Sequence, residues 1–204
     1  MTRSSITVII PAYNEEKSLP AMLNRLEKLS QKITDFELEF LFINDGSRDK
    51  TAEILAREAE KNSRISILNF SRNFGKEIAV AAGLDYADGD AVVIMDADGQ
   101  EPPELIPEMI HWFKQGYDDI YARRNKNAEH GLKGFTSKLY YRTLQKMSRV
   151  PIQIDTGDFR LFSKKAVLAL REFRETSRQN KAIFSWIGYK KKEITFDQAP
   201  RKDG

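Results

Sequence analysis

Residues 92–103 read Val-Val-Ile-Met-Asp-Ala-Asp-Gly-Gln-Glu-Pro-Pro. The four apolar residues predict a short buried strand. Asp96 and Asp98 follow where that strand ends, and the glycine and the proline pair indicate that both carboxylates lie on a turn. Carboxylates this close repel each other unless a cation lies between them. Oxygen ligands on a turn suit Mg²⁺ or Mn²⁺ shared with substrate phosphates, although a merely solvated acidic turn is the alternative.

Strand and helix patterns alternate along the chain. Runs of β-branched and apolar residues predict strands at residues 6–10, 38–43, 65–68, 90–95 and 118–122. This alternation predicts an α/β fold, in which a single domain has a mostly parallel sheet flanked by helices on both faces. Ligands of such sheets bind beyond the carboxyl ends of the strands, so the polar turns that follow the strands should meet at one edge.

Polar turns follow the first four of these strands. Residues 11–16 (Pro-Ala-Tyr-Asn-Glu-Glu) follow the first, and the Tyr13 ring could stack on a nucleobase. Asn14 is predicted to cap the next helix, with Glu15 and Glu16 in its first turn. The other turns are residues 44–49, 71–76 and 96–100. Ordinary strand-to-helix connection explains each turn taken alone, but four polar turns at one edge indicate a binding site.

The composition excludes several kinds of site. The 204 residues include no cysteine and two histidines, which excludes disulfides and thiolate metal sites and leaves little room for a histidine-based zinc site. Neither a dinucleotide-binding glycine motif nor a P-loop is present. Residues 1–122 carry 13 Lys/Arg and 22 Asp/Glu, a net charge of −9, whereas residues 123–204 carry 20 and 8, a net charge of +12. The basic half indicates an anionic partner.

Three motifs in this order resemble those of the family 2 inverting glycosyltransferases, which have the Rossmann-like GT-A fold. The motifs are residues 11–16, Asn-Asp-Gly-Ser at residues 44–47, and Asp-Ala-Asp at residues 96–98 with Gln100 and the proline pair after it. Residues 71–76 and 155–160 are similar to the polyprenyl-phosphate glycosyltransferases, which include bactoprenol glucosyltransferases and dolichol-phosphate mannosyltransferases. The usual Leu-Gln-Asp-Pro-Pro is Gly-Gln-Glu-Pro-Pro here, a mild departure.

The resemblance implies a role for each matched residue. Asp45 would contact the nucleobase or ribose, and Asp96 would lie near the ribose and sugar as a catalytic residue. Asp98 would bind Mg²⁺ or Mn²⁺ with help from Gln100, and the ion would neutralise the departing nucleoside diphosphate. The remaining nucleotide-binding residues are predicted to be Pro11, Ala12, Tyr13, Glu15, Lys76 and Ala97.

Residues 155–160 (Asp-Thr-Gly-Asp-Phe-Arg) predict another polar turn, and the resemblance makes Asp158 a candidate catalytic base. A hydroxyl acceptor needs a base, whereas a phosphate monoester, with a second pKa of about 6, is already anionic at neutral pH. Asp158 would therefore act either as a base or as a group that orients the acceptor. An anionic acceptor also requires cations, for which the candidates are Arg123, Lys133, Arg160 and Arg201.

Residues 131–150 carry five Lys/Arg and no acid. Their apolar residues fall roughly on one stripe, which predicts a basic amphipathic helix on an anionic membrane surface. A helix packed on the sheet is the alternative, and no nucleic-acid-binding motif accompanies the charge. No apolar run reaches the ~20 residues of a membrane span. Because similar proteins continue into two C-terminal membrane helices, we expect a longer protein anchored at the cytoplasmic face of the cell membrane.

These patterns and the resemblance predict an enzyme that transfers a hexose from a nucleoside-diphosphate sugar to a polyprenyl phosphate with inversion. UDP-glucose and undecaprenyl phosphate are the first choice, and GDP-mannose with dolichyl phosphate, or another UDP-sugar, is the alternative. Within one domain, residues 1–122 would form the nucleotide- and metal-binding half and residues 123–204 the acceptor- and membrane-facing half. A nucleotidyltransferase and a sugar-nucleotide-binding membrane module without turnover are rival classes, and a homo-oligomer is left open.

Overall fold

The computed structural model describes residues 4–125, 156–175 and 179–197. Its strands β1–β7 are Ser5–Ala12, Glu37–Asn44, Ile65–Asn69, Ala91–Ile94, Asp119–Arg124, Thr156–Ser163 and Lys191–Phe196. Its helices α1–α6 are Leu19–Lys32, Thr51–Lys61, Lys76–Tyr86, Ile106–Lys114, Lys164–Arg171 and Asn180–Trp186, and a 3₁₀ turn at Pro103–Leu105 precedes α4. Within these ranges no helix combines the length and the apolar composition needed to cross a bilayer. The helix predicted at residues 131–150 lies outside the described residues.

The described strands form one sheet in the order β3-β2-β1-β4-β6-β5-β7. β1 pairs in parallel with β2 and β4, β2 with β3, and β5 with β7. Among the described strands, β6 alone runs antiparallel to its neighbours, between β4 and β5. The predicted α/β fold with a mostly parallel sheet is therefore confirmed, and the carboxyl ends of β1, β2 and β4 lie side by side.

Each face of the sheet buries a hydrophobic layer, because successive residues of a strand point to opposite sides. In β1, Val8 and Ile10 pack in the layer that α1 and α4 cover, whereas Ile9 packs in the layer that α3, α5 and α6 cover. Helix α3 approaches the sheet closely, since a Cβ on Gly83 would lie 2.4 Å from the Ile9 Cγ2 atom. The small residues of α3 allow this approach, and its first residue, Lys76, lies near the carboxyl end of β4.

The turn predicted at residues 155–160 is wrong for the part that the structure describes, because strand β6 begins at Thr156. Phe159 and Leu161 alternate in β6 with Asp158 and Arg160, and all four residues are buried. Residues 158–161 alternate charged and apolar side chains as a strand does, but Asp-Thr-Gly at residues 155–157 is typical of a turn. Both charges have ion-pair partners from distant parts of the chain, which a local sequence pattern does not reveal.

The start of α1 also differs from the prediction. The helix begins at Leu19, and its N-cap residue is Ser18. Asn14 has a φ of +55°, in the left-handed region that asparagine tolerates better than most residues. Asn14 therefore does not cap α1, and Glu15 and Glu16 precede the helix instead of forming its first turn.

Candidate active site

A cavity of about 270 Å³ opens at the carboxyl ends of β1, β2 and β4, beside the first turn of α3. Its lining residues are Pro11, Ala12, Tyr13, Glu15, Asp45, Asn73, Gly75, Lys76, Ala79, Asp96, Ala97 and Asp98. All eight residues predicted to bind the nucleotide are among them, together with the predicted metal ligand Asp98. The polar turns thus converge as expected, while nucleotide binding by these residues stays a prediction. Asn73, Gly75 and Ala79 are lining residues that the sequence analysis did not assign to the site.

A larger open groove, of about 710 Å³, lies between α1 and α2. Its charged lining residues include Glu27 and Arg64, which form an ion pair of 2.9 Å. None of the predicted site residues lines this groove. The smaller cavity is therefore the candidate active site, because it is the one that brings the acidic turn and the polar turns together.

Hydrogen bonds connect the turn after β1 with the turn after β2. The Asn14 Oδ1 atom accepts a hydrogen bond from the Arg48 N–H at 2.8 Å, and the Glu15 N–H donates to the Thr51 Oγ1 atom at 2.8 Å. Side chains that bind backbone groups in this way hold irregular chain segments in place. The Tyr13 ring, in a residue that is 41% exposed, is thus presented to the cavity by a fixed turn.

Asp45 connects the turn after β2 with the loop before α3. The residue is 3% exposed, and its carboxylate accepts the Phe74 N–H at 2.7 Å and the Gly75 N–H at 2.9 Å. Next to it, Gly46 has a φ of +66°, and a Cβ there would lie 2.3 Å from the Arg72 carbonyl carbon. The two backbone segments therefore need glycine at this position. Asp45 lines the cavity, but both of its oxygens hold the loop, and the predicted contact with a nucleobase stays a prediction.

Lys76 links the acidic turn after β4 with strand β6. Its ammonium nitrogen lies 2.6 Å from the Asp96 Oδ1 atom and 2.8 Å from the Asp158 Oδ2 atom. Burial opposes the charge on Lys76, but the two carboxylates outweigh burial and raise the pKa of Lys76 above its ordinary value. Burial also raises the pKa of Asp96, although Lys76 opposes this shift. The two predicted catalytic residues, Asp96 and Asp158, are thus brought together by a lysine that was predicted to bind the nucleotide.

Glu101 is a buried member of the same cluster that the sequence analysis did not assign to the site. Its Oε2 atom accepts the Asp96 N–H at 2.7 Å, and a Cβ on Gly157 would lie 3.0 Å from its Oε1 atom. Burial, together with the charge of Asp96, raises the pKa of Glu101 to about 8. The glutamate stands where the usual motif has aspartate, and this departure was the signal in the sequence that could have pointed to Glu101. The sequence does not reveal that Gly157 covers the Glu101 side chain.

Asp98 and Gln100 were predicted to hold a divalent cation. The Asp98 Oδ1 atom accepts the Gln100 N–H at 3.0 Å, and Asp98 lines the cavity. Within the described ranges, no group of three or more His, Cys, Asp or Glu residues could hold a metal by itself. Mg²⁺ is commonly bound by one or two carboxylates together with substrate phosphates. The two side chains therefore fit an ion that is shared with a diphosphate.

The two predicted acceptor-phosphate cations that the structure describes, Arg123 and Arg160, do not line the cavity. Arg160 is fully buried in the sheet, with its guanidinium group 3.4 Å from the Asp119 Oδ1 atom and 4.6 Å from the centre of the Phe184 ring. The expectation that Arg160 contacts the acceptor is therefore not supported by its position, because the side chain does not reach solvent. Arg123 forms an ion pair of 2.9 Å with Glu193 of the neighbouring strand. The remaining candidates, Lys133 and Arg201, lie outside the described residues.

The sequence that forms this cavity matches a known family. The model of the family described as Glycosyl transferase family 2 matches residues 7–171. The chain belongs to glycosyl transferase family 2. The match includes the turns after β1, β2 and β4, the loop before α3 and strand β6, so it contains all the described residues that line the cavity and Asp158.

Curated relatives match almost the entire chain. An uncharacterized glycosyltransferase of Synechocystis sp. (strain ATCC 27184 / PCC 6803 / Kazusa) is 45% identical over 202 residues, which are 98% of this chain and 63% of the relative. The bactoprenol glucosyl transferase of Shigella phage SfV is 36% identical over 200 residues, which are 98% of this chain and 65% of the relative. The chain spans about three-fifths of the length of the curated relatives it matches.

A solved structure supports the fold. The mannosyltransferase PcManGT from Pyrobaculum calidifontis, in complex with GDP-Man and Mn²⁺, superposes with a TM-score of 0.66. The superposition covers 97% of this chain and 56% of that protein, with 21% sequence identity. At this identity the likeness supports the GT-A fold and does not identify the sugar or the acceptor.

Proposed function

We propose that the protein transfers a glucosyl group from UDP-glucose to undecaprenyl phosphate, with inversion at the anomeric carbon. One observation carries this proposal: the acidic turn, the cavity-lining residues and Asp158 meet through Lys76 at one edge of the sheet. The 36% identity to a bactoprenol glucosyl transferase supports the choice of glucose and of a polyprenyl phosphate.

The cavity is suited to the nucleoside part of the donor. Its volume, about 270 Å³, and its exposed tyrosine ring suit a nucleobase that stacks on Tyr13. The acidic turn lines the same cavity, where Asp96 would orient the ribose and the sugar. The diphosphate would then lie beside Asp98 and Gln100.

A divalent cation is the cofactor that we propose for this site. Asp98 and Gln100 would hold Mg²⁺ or Mn²⁺ together with the diphosphate of the donor. Such an ion supplies positive charge against the negative charge that the departing UDP develops. The chain itself contributes the fixed turn, since the backbone of residues 96–101 is tied down by the hydrogen bonds to Glu101 and Asp98.

The acceptor attacks without needing a base. A phosphate oxygen of the lipid forms a bond to the anomeric carbon while the bond between that carbon and the UDP oxygen breaks, so UDP leaves with the electron pair. The acceptor phosphate, with a second pKa of about 6, is already anionic and gives up no proton in this step. A single displacement of this kind inverts the configuration. The products are UDP and a glucosyl-phosphoryl lipid.

The lipid acceptor implies that the reaction takes place at the cytoplasmic face of the cell membrane. The net charge of +12 over residues 123–204 supports attraction to an anionic surface. The described part of this half includes the exposed Lys190 and the half-buried Lys192, whose ammonium lies over the Trp112 ring at 3.7 Å. We propose that this half faces the membrane, and that further membrane anchoring is supplied by segments outside residues 1–204.

Calorimetry and a transfer assay test the proposal. UDP and GDP are titrated into the protein with and without Mn²⁺, and we expect UDP to bind more tightly and to depend on the metal. Labelled UDP-glucose is then incubated with undecaprenyl phosphate in detergent, and we expect a glucosylated lipid. Tighter binding of GDP would replace the donor by GDP-mannose. Metal-dependent UDP binding without any consumption of donor would support a binding module in place of an enzyme.

A further inference from the structure

Lys76 brings a positive charge to the junction between the cavity and strand β6. Its ammonium nitrogen contacts Asp96 through Oδ1 at 2.6 Å and Oδ2 at 2.8 Å, and it contacts Asp158 through Oδ2 at 2.8 Å. An ammonium group has three N–H donors and each carboxylate needs only one, so the second Asp96 contact can give way to a ligand. The Lys76 side chain is 40% exposed and lines the cavity. The third donor can therefore reach a ligand there.

Asp158 is poorly placed to meet the acceptor directly. The residue is 6% exposed, and its Oδ2 atom is bonded to Lys76. Its Oδ1 atom is shielded from solvent and has no hydrogen-bond partner among the described residues. A general base must come within hydrogen-bond distance of the proton that it takes. Because one oxygen is engaged and the other is buried, the path from Asp158 to a substrate leads through Lys76.

We propose that Asp158 is a positioning residue that acts through Lys76, and that the Lys76 ammonium contacts a substrate phosphate at the point of transfer. This inference rests on the proposed function. The bond changes are those of the single displacement given above, and no proton moves to Asp158. Asp96 and Asp158 fix the ammonium from two sides, which keeps it in place before the substrates arrive. The raised pKa of Lys76 means that it stays protonated and serves as a fixed charge.

The experiment compares Asp158→Asn with Asp158→Ala in the transfer assay on the intact protein. Asparagine cannot act as a base, but its amide oxygen can still accept a hydrogen bond from Lys76. We expect Asp158→Asn to keep kcat within about tenfold of the wild type and Asp158→Ala to lose about 100-fold, because only asparagine can still hold the Lys76 ammonium in place. Removal of a general base would instead cost ~10²–10⁴-fold in both variants equally. Equal losses in the two variants would overturn the positioning role.

Lys76→Met tests whether Asp158 acts through the lysine. In the Lys76→Met background we expect Asp158→Asn and Asp158→Ala to have the same kcat, because the group that Asp158 positions is gone. A difference as large as in the wild-type background would overturn the inference. Lys165→Met is the matched control, since Lys165 also pairs with a buried aspartate. Its ammonium nitrogen lies 3.0 Å from the Asp118 Oδ2 atom, and neither residue lines the cavity. We expect it to leave kcat and both KM values unchanged.

The KM values identify which phosphate Lys76 contacts. A rise on Lys76→Met that is confined to undecaprenyl phosphate assigns the contact to the acceptor, and a rise confined to UDP-glucose assigns it to the donor. An unchanged kcat together with unchanged KM values for both substrates would overturn the contact. Failure of the proposed function can be told apart from failure of this inference alone. If the proposed function is wrong, the wild type itself transfers no glucose, and the inference falls with it. Circular dichroism of each variant verifies that the fold is kept.

Discussion

The turns after β1 and β2 and the turn after β4 differ in how their carboxylates are partnered. In the turns after β1 and β2, called here the first side, both oxygens of Asp45 accept backbone N–H groups of the loop before α3. Both oxygens of Asp49 likewise accept backbone N–H groups. On the second side, formed by the turn after β4 and by strand β6, Asp96 and Asp158 share the single ammonium group of Lys76. The first side is thus held by neutral backbone donors, and the second side by one charge.

The difference indicates which side is complete before substrates bind. Two carboxylate oxygens at the second side, Glu101 Oε1 and Asp158 Oδ1, are buried without a hydrogen-bond partner in the described part of the chain. Burying a carboxylate without its full set of partners costs free energy. We infer that the first side is a preformed pocket, whereas the second side holds excess negative charge that suits cations and their phosphate ligands.

The largest effect that this comparison predicts is on the second side, for Asp98→Ala. We expect kcat to fall by about 10³-fold, or ~4 kcal/mol, because the variant loses the carboxylate proposed to hold the metal. The transfer assay at saturating Mg²⁺ measures this. Asp88→Ala is the control, since it removes an aspartate whose side chain is 95% exposed and outside the cavity. Near-normal consumption of donor by Asp98→Ala would contradict the metal role.

A smaller effect is expected from Glu101→Gln, measured as the free energy of unfolding against pH with metal removed. The folded-state pKa of Glu101 is about 8, above its ordinary value of 4.5, so the folded protein binds this proton more tightly than the unfolded chain does. The stabilising contribution is complete below pH 4.5 and is lost as the pH rises through about 8. We expect the wild type to lose on the order of 3 kcal/mol relative to Glu101→Gln across this range. Parallel pH curves for the two proteins would contradict a protonated Glu101.

Local patterns in the sequence predict most of the described fold. The strands β1 to β5 follow from runs of apolar residues that are separated by polar turns, whereas helix α4 between β4 and β5 was not predicted. Strand β6 does not follow from such a pattern. Its charged residues Asp158 and Arg160 are buried, and their charges are balanced by Lys76 and Asp119. Such a strand is stable only in the complete fold, and a local pattern contains no information about partners that lie 41 or more residues away.

The site is predictable to the extent that the topology of a parallel sheet fixes it. The turns after β1, β2 and β4 must meet at one edge, and the residues predicted to bind the nucleotide do line one cavity. Their detailed contacts are not predictable in this way. Lys76 turns toward Asp158, Arg160 turns into the core, and the burial of Glu101 depends on Gly157. Each of these outcomes is decided by packing between strands that are distant in sequence.

Gly46→Ala sharpens the first side of the comparison. Its φ of +66° and the 2.3 Å approach to the Arg72 carbonyl carbon leave no room for a methyl group. We expect a loss of about 2–3 kcal/mol in the free energy of unfolding, from backbone strain and displacement of the loop. Gly116→Ala is the matched control, because Gly116 has a φ of +79° with nothing within 4 Å of the new Cβ. Equal losses in the two variants would mean that strain alone acts and that the loop is not tightly held.

The smallest effect concerns Asp45, for which calorimetry with UDP and CDP separates two roles. If Asp45 acts by holding Phe74 and Gly75, Asp45→Ala weakens both nucleotides by the same factor, about tenfold or ~1.4 kcal/mol. We expect this result, because both oxygens already accept backbone N–H groups. If the carboxylate instead accepts the N3–H of uracil, the loss is large for UDP and small for CDP, since cytosine has no hydrogen there. Asp45→Asn would then shift the preference toward CDP, and the first side would have to open its loop to bind a nucleotide.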